Sequence, residues 1–315
     1  MHIQVMLNPE ISVIIAVYNG AVTIEKAIDS ILNQSYSANE IIVIDDGSVD
    51  GTREKIEHFG EKVRYVYQDN AGVSAARNKA VNLAVSEWVA FLDADDWYFP
   101  DRLALHAEMI VSNPDVGFLT GNFEYVHPDG EVIKRSMENT DAGQLVLQQA
   151  NGEIKSIMQG QVLGKFVEQH FGDTHTLTLR KSTFKKLGGY PLEFAVCEDV
   201  NFLIRLTAIS EKIGVVCKPI AAYVIYGNSA TRSDPERAQR QTISALQTLR
   251  VPLKNSPGYL QAGLVGAIRH ARLNLAFVLL KQKNKKMEAI KIVMPLLIEL
   301  PSLKSVRDVL SIIRG

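Results

Sequence analysis

The stretch Trp88-Val89-Ala90-Phe91-Leu92-Asp93-Ala94-Asp95-Asp96-Trp97 decides how the chain is read. An apolar run of strand length stops at three carboxylates in four positions, which is how a buried strand delivers acids to the edge of a sheet. In extended backbone Asp93 and Asp95 project to the same side, about 7 Å apart. Two like charges that close are unfavourable without a cation or proton between them. The pair therefore predicts a divalent metal on oxygen ligands, magnesium or manganese, arriving with a phosphate. The plainer alternative is a solvated acidic turn after a strand.

Upstream, Ile11 to Val17 (ISVIIAV) is a β-branched run of the kind buried in parallel sheets, broken at Tyr18-Asn19-Gly20. Ile24, Ala27, Ile28, Ile31 and Leu32 then share one helical face. Ile41 to Ile44 is a second strand, ending at Asp45-Asp46-Gly47-Ser48. Val63 to Tyr67 is extended, Asn70-Ala71-Gly72 turns, and Ser74 to Val85 has helical spacing. The β-α-β-α-β-α-β alternation implies an α/β fold with a mostly parallel, doubly wound sheet. Tyr18-Asn19, Asp45-Asp46, Asn70 to Asn78 and Asp93 to Asp96 all follow carboxyl ends of strands, the edge where such sheets bind ligands. Asp46 is placed to accept hydrogen bonds from a ribose or base. The small residues from Ala71 to Ala76 open a helix that a flat ring or phosphate could approach closely, with Arg77 as a charged donor. Capping of that helix by Ser74 or Asn70 is the plainer alternative. No GxxxxGK[ST] is present, and no GxGxxG follows the first strand.

With 46% hydrophobic and 22% charged residues over 315 positions, a sizeable core is expected. A net charge of -1 excludes a nucleic-acid binder driven by bulk charge. Cys197 and Cys217 make no CxxC and no disulfide framework, which suits a reducing compartment. The start, MHIQVMLNPE, lacks the basic head and apolar core of a signal peptide. No uninterrupted apolar run approaches the ~18 residues of a membrane span. A soluble, cytoplasmic protein is expected.

Four segments, SVIIAVYNG (12–20), IIVIDDGSVDGT (41–52), NAGVSAARN (70–78) and FLDADDW (91–97), together resemble the family 2 inverting glycosyltransferases with the GT-A fold, over roughly residues 10–230. The resemblance implies a nucleotide-sugar donor, with a UDP-sugar expected, and a divalent ion, Mn2+ or Mg2+, at the DXD segment. It also implies direct displacement at the anomeric carbon. By it Ala16, Tyr18 and Asp46 hold the nucleoside, Arg77 lies near the base or phosphates, and Asp93 and Asp95 meet the ribose and the metal, both as metal ligands. Val17, Asn19, Gly72 and Ala94 belong to the same donor site. Ala16 stands where the family commonly has proline, a change that a backbone contact survives.

Beyond the DXD segment, Val116 to Val126 and Glu131 to Lys134 flank the turn His127-Pro128-Asp129-Gly130, predicting an antiparallel hairpin. Residues 136–171 are polar and glycine-rich, a candidate acceptor loop or lid. His175 to Leu179 alternates like a half-buried strand. Glu198 and Asp199 open a helix, where acids favour the dipole. Their functional reading is a general base, since an inverting transferase needs a carboxylate to take the acceptor hydroxyl's proton. GGY, ED and Arg205 resemble the family's acceptor-side motif, which makes Asp199 the base and Glu198 its acceptor-side neighbour. The family's basic residue after the base helix is missing before Ser229, and Arg232 is the nearest substitute for stabilising the leaving diphosphate.

The expected organisation is a GT-A domain over 1–234 and a helical appendage over 235–315. Basic residues among the apolar positions from Leu279 to Leu300 suggest peripheral contact with the inner face of an anionic membrane, against simple packing of these helices on their own domain. The acceptor expected is a glycan or a lipid-linked saccharide; neither the sugar nor the oligomeric state is legible. Two rival readings are a sugar nucleotidyltransferase, for which YNGAVT (18–23) supplies no glycine-rich phosphate loop, and a non-catalytic nucleotide-sugar-binding protein.

Overall fold

A computed structural model of the chain describes residues 8–226, 233–282 and 284–314. β1 (Ile11–Val17) lies inside a ten-stranded sheet, with β2 (Glu40–Asp45) and β3 (Arg64–Tyr67) parallel on one side and β4 (Trp88–Asp93) parallel on the other. Val13, Ile15 and Val17 face a core shared with α1 (Ile24–Leu32) and α2 (Thr52–Glu57), whereas Ile14, Ile42 and Phe91 face a second core shared with α3 (Val73–Leu83). Burial on both faces is why β1, β2 and β4 read as nearly continuous apolar runs. The order β3-β2-β1-β4 reverses its winding between β1 and β4, and that switch point opens the crevice in which open α/β sheets take ligands.

Beyond β4 the sheet becomes mixed. β5 (Trp97–Tyr98) is followed by α4 (Arg102–Ser112), then β6 (Phe118–Val126) and β7 (Val132–Arg135), the last two forming the predicted hairpin. α5 (Asp141–Ala150), β8 (Lys155–Gln159), α6 (Gln161–Glu168), β9 (Thr178–Arg180), α7 (Lys181–Lys186), α8 (Glu198–Ala208) and β10 (Lys212–Val224) complete this part. β9 runs antiparallel between β4 and β6, and β10 is parallel to β6 and antiparallel to β5 and β8.

Two expectations are corrected here. Residues 136–171 are no open lid: Met137, Val146, Leu163 and Phe166 are buried in the main core, and β8 extends the sheet. His175 to Leu179 is not a half-buried strand but a 3-10 turn, Thr174–Thr176, leading into the short β9, with every residue buried.

The C-terminal helices are α9 (Pro235–Thr248), α10 (Gly258–Leu280), α11 (Lys286–Val293), α12 (Leu296–Glu299) and α13 (Leu303–Arg314). α9 starts where Asp234 accepts from the Arg237 N–H, with Pro235 at a position that needs no donor. Leu246, Leu260, Leu264 and Ile268 join the core of the sheet, and Leu275, Leu279, Val293, Leu296 and Ile312 form a smaller one. The apolar positions of residues 279–300 that turn inward are thus used in packing. α10 has the length and composition of a membrane span, which a search for uninterrupted apolar runs overlooks because Arg269 and Arg272 lie within it. In this structure it is packed against α6, α9 and α11, with both arginines buried and ion-paired.

Candidate active site

Sheet register sets the floor of the site. Ala16 lies opposite Asp93, and Val17 opposite Asp45, so the ends of β1, β2 and β4 arrive at one level. Tyr18 and Asn19 follow, both exposed. Asn19 takes a left-handed backbone (φ +52°), its N–H donates to Ser48 Oγ at 2.8 Å, and its Oδ1 accepts from the Val49 N–H at 2.9 Å. The loops after β1 and β2 are thereby tied together.

Asp46 is buried, and its carboxylate accepts from Gln68 Nε2 at 2.6 Å and from the N–H groups of Ala71 at 2.9 Å and Gly72 at 2.8 Å. An ionised carboxylate offers about four acceptor positions. Most of Asp46 therefore holds the turn that starts α3, leaving little for a ribose or base. Gly72 sits exposed in that turn at φ +91°, a conformation that favours glycine.

Arg77 departs further from expectation. Its guanidinium is buried, donating through Nη2 to Asp93 Oδ1 at 2.6 Å and through Nη1 to Glu198 Oε1 at 3.1 Å, above the ring of Tyr190. It is a bridge rather than a free phosphate donor, because two carboxylates already occupy its fork. Although burial opposes its charge, Asp93 and its neighbours raise its pKa further above the usual arginine range.

The DXD segment does not stay extended. β4 ends at Asp93, and the Asp96 N–H turns back to the Asp93 carbonyl at 3.1 Å. This turn leaves Asp95 exposed beside Ala94 and carries Asp96 inward. Asp96 Oδ1 accepts from the Val224 N–H at 2.8 Å, while its buried Oδ2 has no hydrogen-bond partner among the described residues and lies 3.5 Å from His175 Nδ1. Ligand atoms of Asp93, Asp96 and His175 all lie within 4.8 Å of one another. Asp93, Asp96 and His175 are the groups brought together, and Asp95, expected with Asp93 as a metal ligand, stands exposed in the same turn. Both ring nitrogens of His175 are orphaned, and burial pushes the imidazole down to about 4, so a lone pair is available. Two carboxylates and a neutral imidazole fit a divalent ion such as manganese better than magnesium, which prefers oxygen alone.

Across the crevice, α8 presents Glu198 and Asp199 in its first turn, directly after Cys197, whose left-handed backbone (φ +71°) is strained for a residue with a side chain. Asp199 is half-buried and shares a hydrogen bond with the carboxyl of Asp173. Burial, then the charge of Asp199, pushes Asp173 well above the carboxylate range. His170 also lies in the field of Asp199. Asp96, Asp173, His170 and His175 were not singled out from the sequence. Arg232 lies outside the described residues.

Burial first, then Asp199, raises Glu198 to about 7 despite Arg77; Asp95, whose side chain reaches solvent but is crowded by the surrounding crevice, is raised to about 6 by that desolvation and then by Asp93. The fold keeps such a proton where the unfolded chain has released it. The contribution is therefore full below the unfolded value of 4.5 and is lost as pH rises through about 7. The buried histidines titrate in the opposite sense, so the test is a difference. Relative to Glu198→Gln, the native protein is expected to lose several degrees of Tm between about pH 5 and pH 8. A difference that stays flat or grows over that range would reject the assignment.

Residues 12–188 match the model of glycosyl transferase family 2. The glycosyltransferase GlyA of Streptococcus pneumoniae is 36% identical over 268 residues, covering 81% of this chain, and the chain spans only 36% of GlyA. Among solved structures, residues 1–349 of S. aureus TarS in complex with UDP superpose with a TM-score of 0.67 at 18% identity, covering 97% of this chain and 89% of that one. The mannosyltransferase PcManGT from Pyrobaculum calidifontis, in complex with GDP-Man and Mn2+, gives a TM-score of 0.61 at 18% identity over 96% and 79% of the two chains. Those two likenesses speak for the GT-A fold, and the family match, which covers more than half of the chain, makes this protein a member of glycosyl transferase family 2.

Proposed function

We propose that the protein is an inverting transferase that moves a sugar from a nucleotide-sugar donor to a hydroxyl of a glycan or lipid-linked saccharide. The observation that supports this most is convergence: Asp93 at the end of β4 and Glu198 at the start of α8 hold one Arg77 between them. Donor-side and acceptor-side acids thus share one crevice. The donor would lie along Ala16, Val17, Tyr18, Asn19, Gly72, Asp93, Ala94 and Asp95, with Asp46 holding the turn beneath it. Asp93, Asp96 and His175 would hold a divalent cation, with Asp95 exposed beside them as a further ligand; the bound ion would neutralise charge on the leaving diphosphate. Asp199 would take the proton of the acceptor hydroxyl as its oxygen attacks the anomeric carbon on the face opposite the diphosphate. Asp173 and the dipole of α8 would keep Asp199 ionised and oriented. Arg232 would act near the diphosphate. Residues 1–234 would carry this chemistry, with 235–315 as its helical support, in the cytoplasm.

The UDP-GlcNAc and GDP-Man of the TarS and PcManGT complexes define the first donors to try. A thermal-shift series with UDP, UDP-sugars, GDP and GDP-sugars, each with and without Mn2+, is expected to show one nucleotide raising Tm only with the ion. A ligand at ~100 times its Kd adds about 2.7 kcal/mol. His175→Ala and Asp95→Asn should each weaken that binding by roughly tenfold or more. No rise with any nucleotide in the presence of manganese would sink the donor reading.

A further inference from the structure

α13 carries one broad apolar arc and only half of it is packed. Val309 and Ile312 turn inward onto the small core with Leu275, Leu279 and Leu296. Leu303, Val306, Leu310 and Ile313 continue the arc at intervals of three and four residues, and all are exposed. Leu303, Val306 and Leu310, with Arg307, Ser311 and Arg314, line an open surface depression of about 750 Å³. At 100° per residue, Arg314 and Arg307 follow the edge of this stripe, a cationic margin beside an apolar strip, while Lys304 lies further round the helix and lines a cleft with Asp141, Glu168 and His270.

The charges of the segment are sorted as well. Its acids are neutralised by cations on other helices: Asp308 by Arg269 of α10, Glu299 by Arg272 of α10, and Glu288 by Arg240 of α9. Lys304, Arg307 and Arg314 are exposed and enter no ion pair among the described residues, and the same holds for Lys286 and Lys291 of α11. Covering the stripe with a second copy through a two-fold axis perpendicular to the helix would set one cationic margin against the other. A layer of anionic headgroups above hydrocarbon matches both parts: aliphatic side chains enter the boundary, and arginine stems snorkel along it with their charges at the phosphates.

We propose that the outward face of α13 docks the protein on an anionic lipid surface, in the interface plane rather than across the membrane. In the stretch singled out from the sequence for this role, residues 279–300, Leu279, Val293 and Leu296 pack inward while Met287, Met294 and Ile298 are exposed, and α13 adds the continuous stripe.

The test is sedimentation of the full chain with vesicles of phosphatidylcholine alone or mixed with phosphatidylglycerol, at low and high salt. Binding to the anionic vesicles is expected to exceed binding to neutral ones by about tenfold or more and to fall with salt. Leu310→Asp and the pair Arg307→Glu with Arg314→Glu should each abolish most of it. Because these side chains are exposed, Tm and circular dichroism should match the native protein, and a variant that fails this check is replaced by Val306→Ser or Arg307→Gln. Equal binding to both vesicle types, no binding at all, or anionic binding that survives both α13 variants would overturn the proposal. So would a dimer that Leu310→Asp converts to monomer without any vesicle binding by the native chain.

Discussion

Asp199→Asn is expected to slow sugar transfer by about 10²–10⁴-fold while leaving nucleotide affinity within about twofold of the native value. The amide keeps the size of the carboxylate and can still accept from the Val200 N–H, which Asp199 Oδ1 does at 2.7 Å. Its carbonyl oxygen can also accept a hydrogen bond from the carboxyl of Asp173. What it cannot do is take a proton. Among the described residues, the donor side, built on the ends of β1 and β4, meets this charge only indirectly, through Glu198 and Arg77 and through its field at His175. A rate loss confined to the chemical step is therefore the signature of a base. The check is steady-state transfer to an acceptor with the donor saturating, together with titration of the nucleotide. Transfer at the native rate would remove Asp199 from the mechanism, and a large loss of nucleotide affinity would make it a structural residue.

The strands that carry the site were legible because each is buried on both faces, so Ile11 to Val17, Ile41 to Ile44 and Trp88 to Leu92 appear as apolar runs, interrupted only at Ser12, with polar residues at their ends. The acidic ends of β2 and β4 and the small-residue start of α3 were legible for the same reason. The roles of individual residues were less so. Whether Asp95 or Asp96 meets Asp93 depends on one turn, since the Asp96 N–H to Asp93 carbonyl bond exchanges which carboxylate points inward. Periodicity in an extended strand cannot foresee that. The partner of Arg77 lies 121 residues away, beyond any local pattern. His175 was hidden because HTLTL alternates; the threonines at 174, 176 and 178 are buried, and those at 176 and 178 find partners in Thr120 and His106. Residues 136–171 looked like a lid because their apolar positions, Met137, Val146, Leu163 and Phe166, are spread over three short elements too brief to show a period.

The second large effect belongs to Arg77. Arg77→Met keeps a flexible apolar stem of similar length in a position now only 6% exposed, so packing is largely preserved and the electrostatic loss is isolated. It strands two carboxylates, Asp93 and Glu198, that the guanidinium holds at 2.6 and 3.1 Å. Removing one partner of a buried ion pair costs about 3–5 kcal/mol, since the remaining charge stays desolvated. Here the remaining charges also face Asp95, Asp96 and Asp199, which already push upward the pKa values of the acids around them. The carboxylates can escape only by binding protons. Their pKa values therefore rise in the variant, and its stability is lost progressively as pH increases through the neutral range. Urea unfolding at about pH 5 and pH 8 is expected to show the larger loss at the higher pH. Arg77→Lys should recover only part of it, because a single ammonium cannot reach both acids as the fork does. Adding Glu198→Gln to Arg77→Met should restore more than an additive sum predicts, because one of the stranded charges is gone. A loss below about 1 kcal/mol, independent of pH, would mean that Asp93 and Glu198 are not held together through Arg77. The crevice would then have to be organised by something other than the bridge between its two acidic sides.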